Sequence, residues 1–470
     1  MIKERISKLR AKMMENNVQA YIVPTSDFHE TEYVCDYFAC RKYMSGFTGS
    51  AGVLVVLLDK AALWTDGRYF IQAASQLEGS GIDLMKMGQP GVPEIDAYIV
   101  ENLKENDTVG FDGRVMNTKD ALAYKSVFDL AHLNMNVNLD LVNEVWTDRP
   151  QLPSTPTFHY SEKFSGESVE SKLSRLRAFL KENKVDSIVL TSVDQIAWLY
   201  NLRAHDIPNF PVALAYSIVS LESASIYMDA SRLDELSLKE FKDNHVTVCG
   251  YSEIYLATKA LTGLVLVDPS SVNYAIVSNF QAKPVFKESP IILWKALKND
   301  TELKCTKWAH IKDGVAVTKF MYWLKKNAGK IEMSEMSVQS KLQLLRSEQE
   351  NYLEDSFDTI CAYKEHAAMM HYSSKPETNV DITNSGMLLI DSGGQYLEGT
   401  TDITRTFVLG DISEEERYWF TKALRGHIRL SDAHFLFGCS GINLDILARG
   451  PYGIKMWIIN VVQDMVLVTC

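Results

Sequence analysis

The run IDSGGQYLEGTTDITRTF, residues 390–407, decides how the last third of this chain is read. Asp391 and Asp402 stand in it with ten residues between them. They sit on two apolar segments, MLLID and DITRTFVL, that straddle a glycine-containing turn. An even number of intervening residues suits an antiparallel hairpin whose two carboxylates face each other across the ladder. Carboxylates opposed in this way repel unless a cation lies between them. The same spacing also suits turn aspartates that cap backbone amides, so both readings stand at this point.

Working outward, 470 residues predict two to four domains with ample buried core. Hydrophobic residues make up 46% and mean hydropathy is −0.10, which predicts an ordinary globular protein. The net charge of −12 is spread without acidic blocks. It argues against nucleic acid or an anionic membrane as the main partner. Cys35, Cys40, Cys249, Cys305, Cys361, Cys439 and Cys470 are scattered and lack paired zinc spacing. They predict free thiols in a reducing compartment, with Cys35 and Cys40 as structural residues of a helix. The N-terminus MIKERISKLRAKMMENN reads as a charged amphipathic helix without the apolar stretch of a secretory signal. No apolar run approaches the ~20 residues needed to span a bilayer. The expected location is the cytoplasm.

ISKLRAKMMENNVQAYIVPTSD (residues 6–27) parallels LSRLRAFLKENKVDSIVLTSVD (residues 173–194). Leu9 matches Leu176, Arg10 matches Arg177, Ala11 matches Ala178, Val18 matches Val185 and Asp27 matches Asp194. Each copy runs from a helical pattern through an asparagine-containing stop into a short β-run. Each later offers two more strands, which predicts two related α/β domains. RPQLPSTPTF places Pro150, Pro153 and Pro156 in one extended linker. GFTGSAG (residues 46–52) lacks the GK[ST] of a phosphate loop and reads as a tight entry to a strand. Near ALKNDTEL, Asn299 or Asp300 caps a helix whose first turn carries Glu302. Helices over 301–327 and 336–350, a strand region over 356–410 and a helix over 413–438 are expected beyond it. The predicted units are 1–149, a linker 150–158, 159–298, 299–451 and a tail 452–470.

KNDTELKCTKWAHIKDGVAVTKFMYWL, FDTICAYKEHAAMMHY and the opening run together resemble the Xaa-Pro aminopeptidases, the cytosolic aminopeptidase P family in its long form. WTDGRYF and AWLYNLRAHDIPNFPV resemble the same family, and the likeness extends from the start to about Pro451. The resemblance implies an α/β (α+β) fold. Two creatinase-like N-terminal domains would precede a pita-bread metallopeptidase domain, here incomplete. It implies a homodimer, a peptide substrate with proline at its second position, and two Mn²⁺ ions held by two Asp, one His and two Glu. Asp391 and Asp402 match the two aspartates, Asp391 chelating one ion and Asp402 bridging both. Hard carboxylate oxygens suit Mn²⁺. His371 matches a histidine that steadies the reacting amide and shuttles protons. Read alone, it could equally be a satisfied structural histidine. Arg68 matches an arginine that reaches the active site to hold substrate, in some members from the neighbouring subunit. Its bland alternative is a strand-end salt bridge. Arg405 is expected to support the carboxylates without joining the chemistry, and His366 to be structural or substrate-adjacent.

The family pattern continues after ARGP with a GTGHGIG-like segment that supplies the histidine ligand, followed by the two glutamates. Here the text after Pro451 reads YGIKMWIINVVQDMVLVTC, with no histidine after His434 and no glutamate after Glu416. With codons chosen freely, the neighbouring reading frame of this tail can encode WDKNVDYKCGTGHGIGYV. A nucleotide missing near the Pro451 codon would therefore account for it. The expectation is three absent ligands, weak Mn²⁺ binding and no detectable activity. Apolar strands at 386–390 and 406–408 should be partly uncovered, leaving a marginal third domain behind two sound ones. Two other readings are a metal-free pita-bread module that binds peptides, and a prolidase-type dipeptidase. Retention of both aspartates speaks against the first, and two preceding domains instead of one against the second.

Overall fold

The internal repeat is a repeat of whole domains. In the computed structural model, which describes residues 1–453, helix α1 (Ile2–Glu15) leads into β1 (Ala20–Pro24). Strands β2 (Val53–Leu57), β3 (Ala61–Thr65), β4 (Asp83–Lys86), β5 (Thr108–Gly110) and β6 (Asn134–Asn136) complete a sheet of order β4-β3-β2-β1-β5-β6. The second copy runs from helix α2 (Val169–Glu182) into β7 (Ser187–Leu190), β8 (Tyr216–Ser220) and β9 (Ala224–Tyr227). It finishes with β10 (Val246–Cys249), β11 (Leu264–Val267) and β12 (Lys283–Phe286). Its order, β10-β9-β8-β7-β11-β12, repeats the first, with the same antiparallel centre and parallel flanks.

The matched residues do matched work. Leu9 and Leu176 are fully buried in their own cores. Arg10 donates to the Leu57 carbonyl at the end of β2 (2.8 Å), and Arg177 donates to Ser220 at the end of β8 (3.4 Å). Asn16 and Asn183 close the helices by donating to Lys12 and Phe179 carbonyls (both 2.9 Å). Asn17 and Lys184, one residue on, both adopt positive φ, 54° and 55°, which is how the helix end turns into the strand. Gln19 and Asp186 each accept the first amide of the neighbouring parallel strand, at Thr108 (2.8 Å) and Leu264 (2.7 Å). The GFTGSAG stretch enters β2 directly, its Phe47 and Gly49 carbonyls held by the buried Arg41 guanidinium.

The two sheets are joined through buried polar groups. His29 inserts into the second domain, donating from Nδ1 to the Thr191 carbonyl (2.7 Å) and accepting at Nε2 from the Tyr251 hydroxyl (2.7 Å). Asn273 donates to the Phe28 carbonyl (2.9 Å). Residues 150–157 have no regular structure, and the second domain pins them through Asp206 and Arg232, which bond Thr155.

The third part opens with α3 (Asp300–Asn327), whose cap is Asn299: its side chain accepts Thr301 and Glu302 amides, and Glu302 accepts the Asn299 amide in return. Helix α4 (Glu335–Ser347) follows, then β13 (Tyr352–Asp355), β14 (Ile360–Tyr363), β15 (Met387–Ser392), β16 (Gly394–Tyr396), β17 (Gly399–Thr400) and β18 (Ile403–Val408). These form two three-stranded sheets, β14-β15-β18 and β13-β16-β17. Phe320 and Leu324 of α3 and Val338 and Leu342 of α4 pack on Leu388, Ile390 and Phe407, covering one face of the first sheet.

Three expectations need correction. Asp391 pairs with Thr404 and not with Asp402. The chain leaves β15 at Gly393, makes the β16/β17 excursion into the other sheet, and returns at Ile403. Gly393 permits the crossing, because a Cβ there would lie 2.0 Å from the Thr401 carbonyl oxygen. The helix expected over 413–438 is α5 (Glu414–Ser431), which stops short at Ser431, and a further helix, α6 (Gly441–Gly453), lies beyond the expected range. Cys35 and Cys40 do not share a helix: Cys35 precedes the short turn Asp36–Phe38, and Cys40 opens the helix Cys40–Ser45. The expectations for residues 454–470 lie outside the described residues.

Candidate active site

Strand alternation places Asp391 on the sheet face opposite the α3/α4 core. Asp402 lies just outside β18 and two residues before Thr404, the cross-strand partner of Asp391. Positions two apart share a face, so the aspartates are diagonal neighbours. Their carboxyls lie within hydrogen-bonding reach of each other. Asp391 is 3% exposed and accepts the Thr404 hydroxyl at 2.6 Å. Burial raises its pKa above the ordinary carboxylate value, against the pull of Thr404 and His371. Burial and then the Asp391 charge raise that of Asp402. Burial pushes both acids up, while their mutual contact lowers Asp391 and raises Asp402, the pattern of a pair poised for a proton or a cation between them.

His371 sits on the loop after β14. The loop is anchored from below by Glu335, a fully buried carboxylate on α4. Glu335 accepts the Tyr363 amide (2.7 Å) and the Tyr372 hydroxyl (2.8 Å), and it bonds His366 Nδ1 (2.9 Å). His366 is thus a structural residue that fixes the turn carrying His371. His371 itself meets the first domain: its Nδ1 lies 2.7 Å from the Tyr69 hydroxyl. Burial and the nearby Arg68 guanidinium lower its pKa below the ordinary histidine value, opposed by Asp66, Glu32 and Asp391.

Arg68 follows β3 in WTDGRYF, and Asp66 grips it. Nε and Nη2 each donate to the Asp66 carboxylate at 2.8 Å. Burial would raise Asp66, but the Arg68 contacts outweigh it and hold the carboxyl below its usual range. The guanidinium is therefore fixed where its charge is felt at His371 within the same chain. Arg405 stands apart. It pairs with Ile390, on the sheet face away from Asp391, is exposed, and donates to the Thr404 carbonyl (2.8 Å). The arginine whose charge opposes the rise at Asp402 is Arg346, bonded to Asp313 (2.7 Å).

The structure thus gathers Asp391, Asp402, His371 and Arg68, and separates Arg405 from them. Sequence reasoning missed Tyr69, Asp66, Glu32, Thr404 and Arg346. Tyr69 and Asp66 flank Arg68 in its motif, and that adjacency was the available signal. Thr404 stands in the opening run two residues from Asp402, whereas Glu32 and Arg346 arrive through folding alone. Among the described residues, no group of three or more His, Cys, Asp or Glu is placed to hold a metal ion. The paired carboxyls suit one side of a hard divalent cation without enclosing it.

The chain matches the Creatinase/Prolidase N-terminal domain over residues 5–139 and again over 148–302, and Metallopeptidase family M24 over 304–453. Two creatinase-type domains followed by a pita-bread domain define a metallopeptidase architecture. Aminopeptidase P2 of Arabidopsis thaliana is 36% identical over 490 residues, covering 95% of this chain and 68% of the relative. Xaa-Pro aminopeptidase 1 of Dictyostelium discoideum is 36% identical, covering 95% and 74%. The X-prolyl aminopeptidase of Caenorhabditis elegans, a cytosolic enzyme with a di-nuclear active site, superposes with a TM-score of 0.91 at 32% identity, over 97% of this chain and 78% of that one. The chain belongs to the Xaa-Pro aminopeptidase P family.

Proposed function

We propose that the chain is built for the reaction of its family, release of an N-terminal residue that precedes proline in a peptide. The observation that carries this reading is the meeting of the Asp391 and Asp402 carboxyls beside His371 and Arg68. These carboxyls would hold divalent metal, with Mn²⁺ the ion their hard oxygens suit. Such a metal, when bound, polarises the scissile carbonyl and lowers the pKa of water. A prolyl nitrogen has no hydrogen and departs as an amine only if it gains a proton. His371, kept neutral by burial and by Arg68, exchanges that proton. Arg68, locked on Asp66, presents a fixed charge for a substrate carbonyl or carboxylate.

The described residues assemble two donors, and residues 454–470 contain no histidine or glutamate. We therefore infer that these two donors by themselves hold a divalent metal weakly. Arg68 and His371 meet within one chain, so this pair does not need the homodimer that the resemblance implies. Unit limits at 150–158 and near 298 are supported by sheets that end at Asn136 and Phe286. A cytoplasmic location is supported by the cytosolic worm enzyme and by six free thiols among the described residues. The test extends the chain beyond Tyr452 with the segment that the relatives carry there. Bound manganese and cleavage ahead of proline are expected in the extended protein, and an extended protein that stays empty and inert overturns the reading.

A further inference from the structure

Tyr69 joins the first domain to His371, and the reading above leaves it without a task. Its hydroxyl lies 2.7 Å from His371 Nδ1 and 2.6 Å from Ser50 Oγ. The side chain is 2% exposed. Its ring stands edge-on to Phe47 (centroids 5.7 Å, 80°) and to His371 (5.5 Å, 88°). Gly49 packs against it so closely that a Cβ there would come within 2.7 Å of the ring. The hydroxyl is thus held in place by packing, independently of the bond it makes.

A neutral imidazole has one donor nitrogen and one acceptor nitrogen. A phenol donates better than it accepts, and a neutral imidazole nitrogen accepts better than a phenol oxygen. The favoured chain therefore runs from the Ser50 hydroxyl to the Tyr69 oxygen, and from the Tyr69 hydroxyl to His371 Nδ1. The ring proton must then sit on Nε2. We propose that Tyr69, backed by Ser50, is a positioning residue that fixes the His371 tautomer with the proton on Nε2. The consequence is chemical. In the Nε2–H tautomer the Nε2 proton passes to the departing prolyl amine as Nδ1 takes the Tyr69 hydroxyl proton, leaving a phenolate that the Ser50 hydroxyl steadies, whereas the other tautomer presents only a lone pair there. The first domain would then set the protonation geometry of the third. This rests on the proposed role of His371, but its test does not need turnover or metal.

The test is a long-range ¹H–¹⁵N correlation on the ¹⁵N-histidine-labelled chain at neutral pH. The His371 signals are identified by their loss in His371→Gln. A pyridine-like Nδ1 and a pyrrole-like Nε2 are expected in the unaltered chain. In Tyr69→Phe the two nitrogen shifts should converge towards a tautomer mixture while the other histidines keep theirs. Ser50→Ala should move them the same way by less. A pyrrole-like Nδ1 in the unaltered chain overturns the proposal, whether or not Tyr69→Phe folds. Unmoved His371 shifts in a folded Tyr69→Phe overturn it too. Because none of these readings involves hydrolysis, an inert extended enzyme would leave the tautomer result standing.

Discussion

At the scale of single residues, the fold places acids where burial disfavours their charge. Asp391 and Asp402 do so in the candidate site. Glu30 does so near the seam of the first two domains. Its carboxyl accepts Ser26 (3.0 Å) and, more weakly, Asn117 (3.5 Å), yet burial pushes its pKa up to about 8. A carboxyl raised in the folded state binds its proton more tightly there than in the unfolded chain. Its stabilising contribution is whole below the ordinary value of 4.5 and is lost as pH rises through about 8. Thermal unfolding followed from pH 5 to 9 should therefore show a midpoint that falls across this window. In Glu30→Gln the fall should be shallower, and an unchanged slope would show that Glu30 is not the group responsible. Glu30 carries no local signal, because its burial against Asn117, eighty-seven residues away, arises only in the folded chain. The nearness of Asp391 and Asp402 was legible from two apolar runs paired in one sheet, although the chain between them is an excursion through the other sheet and not a short turn. Arg405 was misjudged for a related reason: its nearness in sequence to Asp402 hid the alternation that sends it to the other face.

At the scale of elements, the repeat was legible because each copy carries the same local signals: a helix stripe, an asparagine stop and a β-run. The Arg10/Arg177 and Gln19/Asp186 contacts show the match reaching to individual hydrogen bonds. The hairpin register was not legible. The excursion through β16 and β17 depends on pairing with β13, which is some forty residues away, and on the steric room at Gly393. The loop that carries His371 was equally hidden, because its anchor Glu335 sits just before the helix expected over 336–350 and some thirty residues from His366 in sequence. Glu335→Ala would leave the Tyr363 amide, the Tyr372 hydroxyl and His366 without their acceptor. The expected cost is about 2–4 kcal/mol in a urea titration. Amide exchange over residues 363–372 should rise well beyond that elsewhere in the sheet. A uniform rise would mean that Glu335 supports the whole third domain and not this loop.

At the scale of the molecule, the site is a composite of domains. Tyr69 and Lys375 tie the first to the third, the latter through Thr48 (3.4 Å). Tyr160 and Asn209 tie the second to the third through the Leu397 carbonyl (2.8 Å) and Asp358 (3.0 Å). A chain that spans 68–78% of these relatives therefore still arranges the carboxyl pair, the histidine and the arginine. The far side of the third part is open by comparison. Trp308, Ile311 and Tyr322 of α3 are 51%, 54% and 66% exposed, and β18 is an edge strand with Thr404, Thr406 and Val408 exposed. In the proposed function, Asp391 and Asp402 converge to hold a divalent metal. The most direct measurement is a Mn²⁺ titration of the chain, following free Mn²⁺ by electron paramagnetic resonance. Weak binding is predicted in the unaltered chain, abolished in both Asp391→Asn and Asp402→Asn. Binding of the same strength in either variant would rule out a metal held by this pair.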